Sequence, residues 1–234
     1  MLSLVSLSVS VGKKKLIHQF SLDCKPGEIT CIIGHNGVGK SSLLKSIAGI
    51  GGLSVTGQVT LGSSDLLAMS PDLRYKVGIL LLYQSPPVLE GVTVFQLCRA
   101  IAGDEITTTQ LLLQIKTTAK LLGLPEDLYT KVVNQDLSGG QKKLLELLQA
   151  VLFRPKVLLC DEIDSGLDVT KQKKVVQILT QLATEGMTIL CVTHSLSQVS
   201  QLCPSVVVLL NTDNHVIGGL EILEKVEEHG YTQD

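Results

Sequence analysis

The spacing of hydrophobic positions changes several times along the chain, and each change marks a different kind of element. Leu2–Val9 alternates apolar and polar residues, and Val55–Leu61 does so again after Gly51-Gly52. A period of two predicts antiparallel strands with one wet face. Between them, Ile29–Ile33 is a short, wholly apolar strand that runs straight into a glycine-rich loop. Lys40–Ala48 then reads as a helix stopped at Gly49. Residues 86–153 hold long helical stretches and no convincing strand beyond their start. After them, Val157–Cys160, Thr188–Val192 and Val206–Leu210 read as strands. A helix over Val169–Ala183 follows the first of these, with Val175, Ile178, Leu179 and Leu182 on one face. Such alternation predicts a parallel sheet with helices on its faces. The expectation is one α/β domain spanning residues 1–234, with a small antiparallel β subdomain and an inserted helical subdomain at 86–153.

Composition narrows the class. The chain has 234 residues, 44% of them hydrophobic, enough for a large core, and a net charge of −2. Lys and Arg are scattered, which argues against a nucleic-acid or membrane-surface partner. Lys13–Lys15 reads as a solvated hairpin turn. The longest apolar runs, such as Val77–Tyr83, are far too short to cross a bilayer. The first residues lack a basic segment and a small-residue cleavage site. A cytoplasmic protein is expected, with any membrane part on another chain. The six cysteines show no C-x-x-C spacing or His pairing that suggests a metal. Cys31, Cys160 and Cys191 fall inside buried-strand patterns and are expected to be reduced core residues.

The candidate chemistry lies at the ends of the predicted strands. Gly34-His35-Asn36-Gly37-Val38-Gly39-Lys40-Ser41, followed by Ser42, matches G-x-x-x-x-G-K-[ST] between a strand and a helix. Its glycines permit a tight turn whose N–H groups face phosphate oxygens, and the helix start adds partial positive charge. Lys40 would bridge the terminal phosphates of a nucleotide, and Ser41 would ligate Mg²⁺. The strand Val157–Cys160 ends in Asp161-Glu162, where Asp161 would hold Mg²⁺ through water and Glu162 would polarise the attacking water. No Asn-Lys-x-Asp base reader of the GTPase kind is present, which points to ATP or to loose base selectivity. Ser138 and Gln141 form a capping box ahead of an apolar helix that must end before Pro155. With Gly139-Gly140 between them, the same turn suits a γ-phosphate; the cap and the phosphate role are compatible. If the helical subdomain points away from its own glycine loop, that phosphate belongs to a second copy. His194 follows a strand end and could contact the γ-phosphate and orient water, and Gln84 could sense Mg²⁺ and water.

These features, with Ser165-Gly166-Leu167-Asp168, resemble the Walker A, Q-loop, signature, Walker B, D-loop and switch-histidine set of ABC-type ATPases. The resemblance implies a P-loop NTPase fold, Mg-ATP hydrolysis and an ATP-dependent, head-to-tail homodimer. A narrower likeness rests on Asp65–Pro71, Pro125–Leu128, Gly139–Lys143, Asp161–Asp168 and Glu227–Tyr231. These segments resemble SufC, the soluble ABC ATPase family of the SUF iron–sulfur cluster assembly system. That likeness implies SufB- and SufD-like scaffold proteins as partners, with two ATPase copies driving a conformational change. Gln141, Leu144, Ile163 and Ser42 depart from the family's usual Glu, Arg, Ser and Thr, and no aromatic stands near Val11-Gly12 to stack on adenine. Two other readings share the motifs: the ATP-binding subunit of a membrane ABC transporter, and a non-hydrolysing switch that acts by dimerising.

Overall fold

In a computed structural model, residues 1–103, 106–211 and 214–231 are described. The chain begins with strands β1 (Leu2–Val11), β2 (Lys14–Cys24) and β3 (Ile29–Ile33), then helix α1 (Lys40–Ala48) and strands β4 (Ser54–Leu61) and β5 (Ser64–Asp65). Helix α2 (Pro71–Val77), strand β6 (Ile79–Leu82) and helices α3 (Val94–Ala102), α4 (Thr108–Leu122) and α5 (Gly139–Phe153) follow. The remainder alternates β7 (Val157–Asp161), α6 (Val169–Thr184), β8 (Thr188–Val192), α7 (Leu196–Leu202), β9 (Val206–Leu210), β10 (His215–Gly218) and α8 (Glu221–His229).

These elements form two compact units. The first comprises Met1–Leu81, Pro155–Glu162 and Leu179–Asp234; the second comprises Leu82–Arg154 and Ile163–Ile178. The first carries an antiparallel sheet ordered β2-β1-β4-β5, and β6 is the edge strand of a six-stranded sheet ordered β10-β9-β3-β8-β7-β6. Strands β3, β7 and β8 are buried along their whole length, as parallel strands covered on both faces must be. Their partners Cys31, Cys160 and Cys191 pair across the sheet as fully apolar neighbours, each at most 2% exposed. The second unit packs α3, α4 and α5 around Val94, Cys98, Leu111, Ile115, Leu144 and Leu147, all essentially buried.

One expectation fails locally. Lys13 is in the turn, but Lys14 and Lys15 belong to β2, a strand absent from the sequence reading. The reason is a pair of facing bulges. Ser6 and Gln19 both take positive φ, and the register of β1 against β2 shifts there. The slip places buried Ile17 and Phe20 three residues apart, hiding the period of two. The Ser6 and Gln19 N–H groups donate instead to Ser21 Oγ and Ser8 Oγ, at 2.9 and 3.0 Å. The apolar run Val77–Tyr83 divides: Val77 ends α2, Gly78 turns the chain in the left-handed region, and only Ile79–Leu82 is strand.

Candidate nucleotide site

Parallel pairing aligns the carboxyl ends of β3, β8 and β7, since Ile32 pairs with Val192 and Val192 with Asp161. In open α/β sheets this edge is where ligands bind. Three segments leave it side by side: the glycine loop after Ile33, Asp161-Glu162, and Thr193-His194. Beyond the strands the ladder continues, with Thr193 N–H donating to Ile32 O at 3.2 Å and Glu162 N–H to Val192 O at 3.0 Å.

The glycine loop has the backbone its chemistry needs. Gly34, Gly37 and Gly39 all take positive φ, which L side chains rarely adopt. Gly34 is constrained twice, because a Cβ there would overlap the Leu210 carbonyl at the end of β9. Replacing Gly34 by Ala is therefore expected to cost about 2–3 kcal/mol of stability and to abolish nucleotide binding. Thermal melting beside Gly186→Ala checks this, since Gly186 also has positive φ but open space around its Cβ and suffers only backbone strain. Helix α1 follows Gly39 with no side chain capping it, so its first N–H groups are left without a side-chain acceptor. Lys40 is buried and its ammonium donates to Gly34 O and His35 O at 2.7 and 2.8 Å. Burial pushes its pKa down, opposed by the carboxylates of Glu162 and Asp161.

Ser41 Oγ donates to Asp161 Oδ1 at 2.7 Å. Asp161 is buried, which pushes its carboxyl pKa up, and the Ser41 hydroxyl opposes that shift. A hydroxyl and a carboxylate converging from two elements are hard oxygen donors, the set that fits Mg²⁺. Glu162 follows with φ of 49°, a left-handed conformation that costs a non-glycine residue about 1–2 kcal/mol. Its Oε1 lies 3.6 Å from His194 Nδ1. The sequence reading missed Tyr231. Its hydroxyl donates to His194 O at 3.3 Å and its ring sits 5.1 Å from that of His35, tying the chain's end to two candidate segments.

The remaining candidates lie in the second unit. Ser138 and Gln141 form the expected capping box at the start of α5: Gln141 N–H donates to Ser138 Oγ at 3.3 Å and Ser138 N–H to Gln141 Oε1 at 2.9 Å. A Cβ on Gly139 would meet nothing, whereas one on Gly140 would crowd Leu167 Cδ2 at 3.0 Å. The signature turn thus packs closely on the Ser165–Asp168 loop. Gln84, Ser85 and Pro86 line a cleft of about 370 Å³ together with Gly139, Lys142, Lys143, Ser165 and Gly166. Lys143 donates to Ser165 Oγ across it. Glu146, one turn further along α5, was also missed. It is 6% exposed and accepts the Tyr83 N–H, and burial pushes its pKa up to about 8 against that bond and Lys143. An acid among Leu144, Leu145, Leu147 and Leu148 was the available signal, since unpaired carboxyls are rarely buried.

Among the described residues, no group of three His, Cys, Asp or Glu side chains could hold a metal, and no helix is long and apolar enough to cross a membrane. The sequence pattern of the ABC transporter family matches residues 17–165, more than half of the chain. The probable ATP-dependent transporter SufC of Escherichia coli is 36% identical over 99% of this chain and 97% of its own. Vegetative protein 296 of Bacillus subtilis is 32% identical over 98% and 91%. Among solved structures, the dimeric, post-hydrolysis ATP-binding cassette MJ0796 bound to ADP and Pi matches with a TM-score of 0.81 at 22% identity, covering 94% of this chain and 99% of that one. At that identity the match speaks for the fold. With the glycine loop, the Asp161-Glu162 strand end and the capped signature helix, the sequence match shows that the chain belongs to the ABC transporter family, as an ABC-type ATPase with a SufC-like sequence.

Proposed function

We propose that the chain hydrolyses Mg-ATP at a head-to-tail dimer interface and uses the closure to drive a conformational change in SufB- and SufD-like scaffold proteins of iron–sulfur cluster assembly. The observation that carries the reading is the convergence of Lys40, Ser41, Asp161, Glu162 and His194 at three adjacent strand ends. The loop backbone from Gly34 to Ser42 receives the phosphates, and Lys40 exchanges its two carbonyl partners for phosphate oxygens. Ser41, and Asp161 through water, would hold Mg²⁺, which would offset the charge on the phosphates, and Gln84 would sense the ion and the water. Glu162 takes a proton from water as that water's oxygen bonds to the γ-phosphorus and the bond to the ADP oxygen breaks. His194 orients the water and the γ-phosphate.

Ser138 and Gly139–Gln141 complete the site from a second copy. The capping box takes up the N–H groups of Ser138 and Gln141 and leaves those of Gly139 and Gly140 for such a phosphate. The dimeric state of the MJ0796 cassette, whose fold this chain shares, supports the arrangement. The scaffold partner is supported by the likeness to SufC. A second reading, the ATP-binding subunit of a membrane transporter, is supported by the family match and by the word transporter in the E. coli relative's name.

Two experiments test this. Lys40→Ala and Ser138→Arg are each expected to lack turnover, while their mixture recovers part of it, because one site of the mixed dimer is intact. No recovery refutes a site shared between copies. Affinity capture of the tagged chain from its native cells tests the partner. SufB- and SufD-like proteins support the scaffold reading, and an integral membrane permease refutes it in favour of transport.

A further inference from the structure

We infer that Glu146 is a positioning residue for Gln84, holding the near end of the loop that carries it; this rests on the role proposed for Gln84. The loop is held at both ends by buried side chains. On the near side, the Glu146 carboxyl accepts the N–H of Tyr83, the residue directly before Gln84. On the far side, Asn134, 3% exposed, donates from Nδ2 to Pro87 O at 2.8 Å. The backbone beyond Pro87 is fastened to the same segment as Asn134: Leu89 N–H donates to Val133 O at 3.2 Å and Val133 N–H to Val92 O at 2.9 Å. Only Gln84, Ser85 and Pro86 lie between the two clamps, and all three line the cleft they share with the signature turn.

The near clamp and the signature turn belong to one rigid element. Ser138 caps α5, Lys143 reaches Ser165 from its second turn, and Glu146 reaches Tyr83 from the next. A displacement of α5 therefore moves the Gln84 loop, the Ser165–Asp168 loop and the signature turn together. A leucine at position 146 would serve the surrounding apolar face equally well, since Leu144, Leu145, Leu147 and Leu148 are all at most 1% exposed. A buried carboxyl there costs desolvation, and the contact it makes is with the backbone beside Gln84.

The test compares steady-state turnover and Mg-ATP affinity of the full chain carrying Glu146→Leu, Glu146→Gln, Gln84→Ala, or Glu146→Leu with Gln84→Ala. Glu146→Leu leaves the Tyr83 N–H unpaired and is expected to lower kcat at least about tenfold with Kd for Mg-ATP kept within about twofold. Glu146→Gln keeps a carbonyl acceptor and is expected to restore turnover to near the parent's. The double variant is expected to be no slower than the slower single one, because both changes disable the same group. Additive losses, or failure of Glu146→Gln to rescue, would make Glu146 merely structural. A slow Gln84→Ala beside an unimpaired Glu146→Leu overturns the inference alone. Gln84→Ala at the parent's turnover overturns the role of Gln84 and the inference with it.

Discussion

Glu162→Gln is expected to lower ATP turnover by about 10²–10³-fold while leaving Mg-ATP binding intact. The amide is nearly the size of the carboxylate, so the strained turn at position 162 and its N–H bond to Val192 O should survive. What is lost is a base within reach of the attacking water. Lys40, Ser41 and the glycine loop, which meet the phosphates, are untouched. A chain that binds but does not cleave should accumulate as an ATP-held dimer, visible by size-exclusion chromatography or light scattering with ATP and absent with ADP. Persistent turnover would remove Glu162 from the role of base. His194, 3.6 Å from the same carboxylate, would be the next residue to substitute.

Glu146→Gln is expected to change the pH dependence of stability, whatever it does to catalysis. Burial pushes the Glu146 pKa from its usual 4.5 up to about 8 in the folded chain. The folded state therefore keeps a proton that the unfolded chain releases near pH 4.5. The resulting stability is fully present below that pH and is lost progressively as pH rises to about 8. Glutamine carries no such proton. The variant's advantage over the parent should thus widen between about pH 5 and pH 8 by a few kcal/mol, at about 1.4 kcal/mol per unit. Above pH 8 it should be flat. Thermal or urea melts at pH 5, 6.5, 8 and 9 measure this. A pH-independent gap would mean that the carboxyl ionises inside α5 at its ordinary pKa.

Motifs with strict local geometry were the parts legible in the sequence. The glycine loop, the helix after it and the three buried strands are set by neighbouring residues: an apolar run, a glycine where φ must be positive, a helix start. The capping box of Ser138 and Gln141 is local in the same sense and forms with both of its hydrogen bonds. Strand β2 was hidden because its bulge opposite Ser6 depends on pairing with β1. Likewise α2 and β6 share an apolar run that only the left-handed turn at Gly78 divides.

Composition and short-range pattern alone thus determined the α/β class, the order of the motifs and the chemical type of each candidate group. The tertiary structure decided what meets what. The parallel register of β3, β8 and β7 brings Ser41 to Asp161 across 120 residues of chain and sets Glu162 beside His194. Packing in the core decided that the acid at 146 is buried against the Tyr83 backbone rather than solvated. The physical reason is range. Capping, turn strain and periodicity act within a few residues, whereas register, desolvation and clamps such as Glu146 and Asn134 arise only when distant segments exclude water from one another.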